Sequence, residues 1–409
     1  MRILHVVTAF PRGPEDVIVP WLVELIVRQR EAGHDVEVFT SAYRGGGNTE
    51  YRNIPLHRFR YAPARWEDLT HDEAAPDRMR RSLLYTLLPL PYVLAGMWSI
   101  WRLCRRKRYD IVHVHWPVPH ALFGWASGAR LVTSWYGVEL RWVQSSLPWL
   151  RWFVRWALSI SDVVVAISSY TAGEIARFAR TPVRVIPYTL GFAAASAPRL
   201  LARDGALRIL FVGRLVERKG VTHLVEAVRR LPEARLTVIG DGPERTSLEA
   251  QIAEGGLGDR VTLRGRVSEA ELKDAYVSSD VLVLPSILDA RGDTEGLGVV
   301  LLEAMSYGVP VIGSNLGGIT DIVRDGQTGL LVPPADPGAL TATLERLASD
   351  KVLAARLGEA GRKHVAKAFG WPAIMAQWEE CYATAAAGTR TGTAMPGGPA
   401  ATPPPTKAR

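Results

Sequence analysis

The sequence contains very little cysteine. Only Cys104 and Cys381 occur in 409 residues, and their separation does not match the spacing of metal ligands. So few cysteines argue against a disulfide framework, and we expect the chain to work in a reducing compartment. Hydrophobic residues make up 47% of the chain and charged residues 22%, which is ordinary for a soluble globular protein.

The amino terminus lacks the features of a signal peptide. Its apolar run, "MRILHVVTAFP", is brief, and no cleavage site of small residues follows it, so it predicts a short strand. A length of 409 residues exceeds a single typical core. We therefore expect two domains, each large enough to be stable by itself.

Positive charge is unevenly distributed. Residues 1–200 carry 25 Lys and Arg against 16 Asp and Glu, whereas residues 201–409 carry 24 against 25. Eleven of the 13 tryptophans also lie in the first half. A basic, tryptophan-rich half beside a neutral half indicates that one domain meets an anionic surface. No nucleic-acid recognition motif accompanies the charge, so we expect no nucleic-acid partner.

Apolar runs alternate with helical stretches along most of the chain. The first series contains the helix Trp21–Glu31, which ends before Gly33, and the predicted strands are Ile3–Val7, Val36–Thr40, Ile111–His115, Leu131–Trp135 and Val163–Ile167. A second series predicts five more strands, namely Ile209–Val212, Leu236–Ile239, Val261–Leu263, Val281–Leu284 and Val311–Ile312. Continuously apolar strands separated by helices are typical of parallel sheets covered on both faces. The sequence therefore predicts two doubly wound α/β domains.

The composition sets the expected domain boundaries. An Ala-, Pro- and Gly-rich stretch without a clear period separates the two series, and the tail is rich in Gly, Pro and Thr, which predicts disorder. The expected segments are a first domain at 1–190, a linker at 191–207, a second domain at 208–370, a helix at 371–387 that crosses back to the first domain, and a disordered tail at 388–409. Ligands of parallel sheets bind beyond the carboxyl ends of the strands, so the default site is the cleft between the domains.

Two cations follow the first strand of the second domain. Arg214 comes after Gly213, and Lys219 comes just before a helix that starts near Gly220. A lysine at a helix amino terminus opposes the helix dipole, which points to a bound anion. The alternative is that both side chains are solvated surface charges.

Two carboxylates and a glycine pair lie further along, in "GDTEGLGVVLLEAMSYGVPVIGSNLGG". Glu295 should lie in a loop, whereas Glu303 interrupts an apolar helix and needs a hydrogen-bond donor there, either the hydroxyls of a ribose or a buried arginine. Gly317 and Gly318 form a strand-to-helix turn that would let the backbone approach a phosphate, although most such pairs are simply turns.

In combination these residues resemble the donor-binding half of retaining GT-B glycosyltransferases of the family-four group. The pattern of two glutamates eight residues apart, followed by "EAM", a "G-PV" strand and a glycine pair, stands at 295–318, and "GLLVPPADP" at 329–337 continues it. The resemblance covers residues 1–386 and is strongest at 209–337. It implies a GT-B fold with two Rossmann-like domains, the first binding the acceptor and the second binding a UDP- or GDP-linked sugar.

The resemblance also implies roles for individual residues. Glu303 would bind the ribose hydroxyls, Glu295 would contact the transferred sugar, and Arg214 with Lys219 would neutralise the diphosphate as it leaves. The other implied donor contacts are Gly213, Leu297, Gly298, Gly317, Gly318, Arg266 and Val267. The chain has no Asp-x-Asp pair, so we expect no metal and no cofactor.

The first domain departs from the family pattern at two places. A glycine pair usually follows the first strand, but here only Gly13 stands there, and Arg12 is the candidate substitute. Where the family places a histidine that touches the donor sugar, this chain has Tyr136, with Glu139 three residues later. Tyrosine can still hydrogen-bond a sugar hydroxyl. His115, at the end of "DIVHVHWP", is either a cleft residue or a core histidine, and the sequence shows no third ligand near His113 and His115 for a metal.

Two basic, tryptophan-containing segments point to a membrane surface. The uncharged run at 82–101 lies between clusters of arginine, and "RWVQSSLPWLRWFVRWALSI" at 141–160 interleaves Arg with Trp. Twenty apolar residues could span a bilayer, but Pro89 and Pro91 should interrupt the run. We expect helices that lie in the membrane interface, or else helices packed on the sheet.

The resemblance implies a retaining, metal-independent glycosyltransferase for cell-surface glycans, and together with these two segments it leads us to expect a glycan or lipid-linked acceptor. We expect it in the cytoplasm, with the inner face of the plasma membrane as its site of attachment. The alternatives are a nucleotide-sugar epimerase or glycosyl phosphorylase on the same fold, and a non-catalytic protein that binds a sugar nucleotide.

Overall fold

The structure is a computed structural model that describes residues 1–13, 16, 18–71, 78, 83–189 and 205–388. The described residues form two compact units. Those up to 189 together with those from Ile374 onward make the first unit, and those from 205 to Ala373 make the second. Most of the predicted linker, and the predicted tail beyond Gly388, lie outside the described residues.

The first unit is built on an eight-stranded sheet. Its strands are β1 (Arg2–Val6), β2 (Asp35–Ser41), β3 (Thr49–Tyr51), β4 (Ile54–Phe59), β5 (Ile111–His115), β6 (Arg130–Trp135), β7 (Val163–Ala166) and β8 (Val183–Val185), in the order β3-β4-β2-β1-β5-β6-β7-β8. All neighbours run parallel except β3 and β4. Its α-helices are α1 (Pro20–Glu31), α2 (Leu83–Leu87), α3 (Pro89–Arg106), α4 (Pro117–Ser127), α5 (Val138–Ser145), α6 (Arg151–Ile160) and α7 (Ser169–Ala176).

The second unit is built on a six-stranded parallel sheet. Its strands are β9 (Leu207–Val212), β10 (Ala234–Ile239), β11 (Val261–Gly265), β12 (Val281–Leu284), β13 (Val311–Ser314) and β14 (Leu330–Val332), in the order β11-β10-β9-β12-β13-β14. Its α-helices are α8 (Val221–Arg229), α9 (Arg245–Glu254), α10 (Glu269–Ser278), α11 (Val299–Ser306), α12 (Ile319–Ile322), α13 (Pro337–Ser349) and α14 (Lys351–Ala368).

These two sheets confirm the predicted α/β class. Each of the ten predicted strands is present, and Ile111–His115 and Val281–Leu284 have the predicted bounds. The sequence missed β3, β4, β8 and β14, because β3, β8 and β14 are only three residues long and β4 mixes apolar and polar residues. The precise boundaries of the domains stay a prediction.

The last helix, α15 (Trp371–Ala386), packs against the first unit from Ile374 onward. Trp378, Cys381 and Tyr382 are buried there. The Tyr382 hydroxyl accepts a hydrogen bond from Gln29 Nε2 at 2.8 Å and lies 2.9 Å from His113 Nδ1. The carboxyl-terminal helix thus reaches the buried interior of the sheet formed by the amino-terminal half.

One helical segment, Tyr85–Arg106, is the single one among the described residues that is long and apolar enough to cross a membrane by length and composition. The expected interruption occurs at Pro89, because α2 ends at Leu87 and α3 begins at Pro89, whereas Pro91 lies inside α3. Pro89 is the first residue of α3, where a proline costs no hydrogen bond because that N–H has no partner within the helix. The 18 residues of α3 then continue to Arg106.

Candidate functional site

The candidate donor residues gather at one edge of the second sheet. Gly213 and Arg214 follow β9, Arg266 follows β11, Glu295 lies in the loop after β12, and the glycine pair follows β13. Because these strands are parallel, their carboxyl ends lie at the same edge. This edge is where ligands of parallel α/β sheets bind.

Lys219 and Glu295 form a buried ion pair at this edge. Each residue is only 8% exposed, and Lys219 Nζ donates a hydrogen bond to Glu295 Oε2. Arg218 lies nearby, with its Nη1 atom 3.7 Å from the same carboxylate oxygen. Glu295 thus already supplies an opposite charge to Lys219, and a contact of Lys219 with a bound anion stays a prediction.

The glycine pair holds the loop that carries Glu295. Gly317 has a φ of 62°, and a Cβ atom there would lie 2.3 Å from the Glu295 carbonyl oxygen. The Gly318 N–H donates to that same oxygen at 3.0 Å. A Cβ on Gly318 would lie 2.1 Å from the Gly296 carbonyl oxygen. The Gly318 N–H is thus paired within the loop, and a contact of this glycine pair with a phosphate stays a prediction.

Glu303 receives its hydrogen bond from a residue that the sequence analysis missed. It lies on α11, which begins after Gly298 at a φ of 95°, and the Tyr276 hydroxyl of α10 donates to Glu303 Oε2. Burial raises the pKa of Glu303 above its usual value, and the bond from Tyr276 opposes that shift. Burial alone predicted a donor but could not identify Tyr276, because no sequence motif connects the two helices.

The remaining donor candidates differ in exposure. Arg214 and Arg266 are exposed, Val267 is half-buried and Leu297 is buried. Within the described part of the chain, Arg214 forms no ion pair. A Cβ on Gly213 would lie 3.7 Å from Lys219 Nζ, so the lack of a side chain there keeps the space beside the ammonium group open. Arg214 is therefore a cation available to a ligand, whereas Lys219 is already shared.

Tyr136 lies at the carboxyl end of β6 in the first unit. It is 8% exposed, and its hydroxyl lies 2.7 Å from His115 Nδ1. Its ring stacks on Trp116, with ring centroids 4.4 Å apart, and Trp21 lies against the same ring at 5.3 Å. The phenol is therefore fixed by aromatic contacts and by a hydrogen bond to a neighbouring strand.

His115 belongs to a buried network of three histidines. The parallel register places His5 of β1 beside His113 of β5, and all three rings are 0% exposed. His5 Nδ1 lies 3.0 Å from His115 Nε2, and His5 Nε2 lies 2.7 Å from Gln29 Oε1. His113 completes the network through Tyr382 and through Ser134 Oγ, at 2.8 Å from its Nε2. His115 thus lies in the core in this structure, and its Nδ1 atom contacts the Tyr136 hydroxyl.

His5 is the third imidazole that the sequence analysis did not find near His113 and His115. One ligand nitrogen from each ring lies within 4.8 Å of the others, a grouping that could hold a metal ion. However, all six ring nitrogens already have hydrogen-bond partners. Burial lowers the pKa of His5 to about 3 and those of His113 and His115 well below the usual value. Three neutral rings, each with both nitrogens hydrogen-bonded, explain the cluster without a metal.

Glu139 lies in the first turn of α5, three residues after Tyr136, and is 5% exposed. Its Oε1 accepts a hydrogen bond from the Tyr136 N–H at 2.8 Å, whereas Oε2 is buried without a partner among the described residues. Burial raises the pKa of this carboxyl to about 7, although the backbone bond and the charge of Arg141 oppose the shift.

Arg12, the candidate substitute for the missing glycine pair, is exposed but already paired. Its Nε donates to Asp16 Oδ2 at 2.5 Å, and its guanidinium lies over the Tyr43 ring at 4.5 Å. An anion at this loop would therefore have to compete with Asp16. Whether Arg12 contacts a ligand stays a prediction.

Two family models match the chain and together span most of it. The family described as "Glycosyl transferases group 1" matches residues 195–364, and that described as "Glycosyltransferase Family 4" matches residues 20–188. The GDP-mannose-dependent alpha-(1-6)-phosphatidylinositol monomannoside mannosyltransferase of Mycolicibacterium smegmatis is 31% identical over 334 residues, which are 76% of this chain and 86% of that protein.

Solved structures agree with this assignment of the fold. Sucrose-phosphate synthase of Thermosynechococcus elongatus has a TM-score of 0.70 at 25% identity, covering 95% of this chain and all of that one. The Anabaena protein Alr3699/HepE, crystallised with UDP and glucose, has a TM-score of 0.67 at 18% identity, covering 93% of this chain and 99% of that one. Together with the two parallel sheets, these likenesses confirm the predicted GT-B fold.

The buried carboxyl of Glu139 should make the stability of the first unit depend on pH. Between about pH 4.5 and pH 7 the unfolded chain loses this proton while the folded chain keeps it, so the stability falls as the pH rises through that window. In Glu139→Gln this contribution is absent. Relative to the unchanged protein, the variant should gain on the order of 3 kcal/mol between pH 4.5 and pH 8, from about 1.4 kcal/mol per pKa unit.

Urea unfolding followed by tryptophan fluorescence at several pH values measures this difference. Eleven of the 13 tryptophans lie in residues 1–200, so the signal reports chiefly on the first unit. Parallel pH profiles for the two proteins would show that Glu139 is not protonated in the folded state near neutral pH.

Proposed function

The chain belongs to the glycosyl transferases of group 1, and on that premise we propose that it moves a sugar, with retention of configuration, from a nucleoside diphosphate to a glycan or lipid-linked acceptor. The observation that carries the proposal is the edge of the second sheet. There Lys219 pairs with Glu295 and Arg214 follows β9, while Glu303 lies on α11, the helix that follows the Glu295 loop, and accepts a hydrogen bond from Tyr276. The epimerase, phosphorylase and non-catalytic alternatives gain no support from the matched proteins, which are named as transferases and synthases.

Glu303 suits the ribose of the donor. Tyr276 donates to one carboxylate oxygen, Oε2, and the burial of the group makes further hydrogen-bond donors favourable. Two vicinal ribose hydroxyls would supply such donors without bringing charge into the site. Tyr276 then acts as the group that orients the carboxylate before the nucleotide binds.

Arg214 and Lys219 suit the diphosphate. When the bond between the anomeric carbon and the phosphate oxygen breaks, negative charge develops on the leaving nucleoside diphosphate, and preplaced cations stabilise it. The acceptor oxygen forms its new bond to the same carbon on the same face of the sugar, and its proton passes to the leaving phosphate. Lys219 is shared with Glu295, so the ion pair fixes this carboxylate beside the proposed position of the sugar.

We propose that the base of the donor nucleotide is uracil or guanine. The mannosyltransferase of Mycolicibacterium smegmatis is named as GDP-mannose-dependent, and the Anabaena structure holds UDP. Gly213, Gly298, Leu297 and Gly317 line the same strand ends and are proposed to contact the nucleotide sugar through their backbone. Arg266 and Val267 follow β11 and are proposed to select the base, while Tyr136 is proposed to contact a sugar hydroxyl.

A helix face of the first unit supports a membrane-bound acceptor. On one side of α3, Leu88, Tyr92, Gly96 and Ile100 are buried. The opposite side exposes an apolar stripe that starts in α2 and ends near a cluster of exposed arginines, and its members are Leu87, Leu90, Leu94, Trp98 and Trp101. An apolar stripe beside a basic end is typical of a helix that lies in the interface of an anionic bilayer.

Exposed tryptophans continue this surface beyond α3. Trp125 of α4 is 59% exposed and Trp152 of α6 is 61% exposed, and Trp125 contacts Trp156 of α6 at 6.4 Å between ring centroids. Tryptophan favours the boundary between lipid headgroups and acyl chains. We propose that this surface binds the inner face of the plasma membrane, where a cytoplasmic enzyme would meet a lipid-linked acceptor. The mannosyltransferase relative is named for a phosphatidylinositol mannoside acceptor.

Replacement of Glu303 by Gln should weaken donor binding. Loss of a hydrogen bond to a charged group costs roughly 1.5–3 kcal/mol, so the dissociation constant of the preferred donor should rise about 10- to 100-fold. Ligand-detected NMR against a panel of UDP-, GDP- and ADP-sugars identifies the donor first and then measures the loss. Glu254→Ala, at an exposed glutamate of the same unit, is the matched control.

A nucleotide that lacks the ribose 2′-hydroxyl sharpens this test. It should bind the unchanged protein more weakly than the full donor but should lose little further affinity in Glu303→Gln. If the substitution weakens the full and the deoxy nucleotide equally, Glu303 does not bind the ribose. If no nucleotide sugar binds the unchanged protein, the proposed donor site is wrong.

Replacement of Arg214 by Ala should slow transfer while the fold remains intact. Arg214 is exposed and unpaired among the described residues, so its removal leaves no buried charge behind. Loss of one group that stabilises developing charge lowers kcat by about 10²- to 10³-fold. Release of nucleoside diphosphate measures kcat, and Arg235→Ala, at an exposed arginine near the opposite end of β10, should leave it unchanged. Equal values of kcat for both variants would show that Arg214 takes no part in the reaction.

The membrane surface is tested by sedimentation with lipid vesicles. The chain should bind vesicles of phosphatidylglycerol more tightly than vesicles of phosphatidylcholine, and added salt should weaken the binding. Changing Leu94, Trp98 and Trp101 together to Ser should lower the affinity at least about tenfold, because each buried apolar side chain contributes more than 1 kcal/mol. Val352→Ser, at an 80% exposed valine of the second unit, is the control. If the triple variant instead abolishes self-association and binds vesicles normally, the surface is an interface between copies of the chain.

A further inference from the structure

A continuous series of hydrogen bonds connects the carboxyl-terminal helix α15 to Tyr136. From Tyr382 it passes to Gln29 of α1 at 2.8 Å, from Gln29 to His5 at 2.7 Å, from His5 to His115 at 3.0 Å, and from His115 to the Tyr136 hydroxyl at 2.7 Å. Four of these five side chains are 0% exposed, and Tyr136 is 8% exposed. These hydrogen bonds thus connect the carboxyl-terminal helix to a candidate sugar-binding residue.

The direction of every hydrogen bond in this series follows from one amide. A neutral imidazole has one N–H donor and one nitrogen acceptor. Since Gln29 Oε1 faces His5 Nε2, that nitrogen carries the proton, and His5 Nδ1 must accept from His115 Nε2. His115 Nδ1 is then an acceptor, so the Tyr136 hydroxyl donates its hydrogen inward. The oxygen of Tyr136 is then an acceptor, with one lone pair toward the neighbouring Ser134 hydroxyl and one for a ligand.

A second set of hydrogen bonds starts at Tyr382 and has the same order of donors and acceptors. Gln29 Nε2 donates to the Tyr382 hydroxyl, which leaves the hydroxyl hydrogen available for His113 Nδ1, and His113 Nε2 then donates to Ser134 Oγ. Both sets therefore end on β6 or directly after it, at Ser134 and Tyr136. All three histidines carry their proton on Nε2 in this arrangement.

The alternative arrangement reverses the whole network at once. If the Gln29 amide were turned by 180°, every donor would become an acceptor, all three histidines would carry the proton on Nδ1, and the Tyr136 hydroxyl would point its hydrogen outward. A reversal of only part of the series would leave two lone pairs or two N–H groups facing each other in the core, which is costly. The series from Gln29 through His5 and His115 to Tyr136 has therefore two ordered states rather than a mixture.

We propose that Gln29 and Tyr382 are positioning residues that act through His5 and His115 to keep the Tyr136 hydroxyl an acceptor toward its ligand. The inference rests on the proposed function in one respect, since that ligand is taken to be a sugar hydroxyl. Its chemical consequence is selectivity: the group that Tyr136 recognises must donate a hydrogen bond, as a hydroxyl does and as an ether or a carbonyl oxygen does not. The placement of Tyr382 on α15 makes the carboxyl-terminal helix part of this recognition.

The proton positions can be measured directly by NMR. In protein with ¹⁵N-labelled histidine, long-range ¹H–¹⁵N correlation should show His5, His113 and His115 as neutral rings protonated on Nε2. Three rings protonated on Nδ1, or a mixture of the two forms, would overturn the proposal. This measurement needs no substrate, so it stands even if the proposed transfer reaction fails.

The action of Gln29 through Tyr136 is tested by a double-mutant cycle. Gln29→Leu should lower kcat/KM for sugar transfer by about tenfold, should mix the histidine tautomers, and should add little to the loss already caused by Tyr136→Phe. Gln251→Leu, which removes a glutamine hydrogen bond of the second unit, is the control and should leave the histidine tautomers and kcat/KM unchanged. Losses that add fully in the double variant would show that Gln29 acts only on the stability of the fold.

Tyr382→Phe is the second variant, because it preserves the ring that packs against Trp378 at 5.6 Å between centroids. It should remove the acceptor of the Gln29 Nε2 group, so that the amide can turn and His5 and His115 become mixtures of the two tautomers. Unchanged tautomers in a folded Tyr382→Phe protein would overturn the proposed coupling. If neither donor turnover nor donor binding is found in the unchanged protein while the Nε2–H pattern is present, the proposed function fails and the ordered network remains.

Discussion

Parallel pairing of the strands is the constraint on which both candidate sites depend. In the second unit it brings residues that follow β9, β11, β12 and β13 to one edge, although they are separated by up to about a hundred positions in the sequence. In the first unit the same pairing sets His5 beside His113 and brings Tyr136 next to His115. Strand ends of a parallel sheet leave backbone groups and loops free to meet a ligand, which is why polar side chains collect there.

Several polar groups buried at these edges are satisfied by a partner from another element. Glu295 is paired with Lys219, Glu303 accepts from Tyr276, His5 and His115 bond to each other, and His113 bonds to Tyr382 and Ser134. Such partners reduce the cost of burial and fix the side chains before a ligand arrives. Glu139 differs from these groups, because one of its oxygens has no partner among the described residues, and burial raises its pKa to about 7.

One surface helix of the first unit exposes apolar side chains. Helix α3 buries one apolar face on the sheet and exposes another, so leucine and tryptophan side chains on the second face are in contact with solvent. Exposed apolar area of this kind is unfavourable unless something covers it. A transferase whose acceptor is anchored in lipid would gain from such a surface, because it holds the enzyme where the acceptor lies.

The sequence by itself determined the α/β class, the positions of the ten main strands, and the family, since apolar periodicity and the spacing of Glu295, Glu303 and the glycine pair are local properties of the chain. It also singled out Arg214, Lys219 and Tyr136 as candidates. Only the tertiary structure decided their partners. Glu295 for Lys219, Tyr276 for Glu303 and His115 for Tyr136 lie 21 to 76 positions away in the sequence, and the series behind His115 joins Gln29 to Tyr382 across 353 positions. Local sequence carries no record of such contacts, because a buried group needs a donor or an acceptor but does not specify which distant residue provides it.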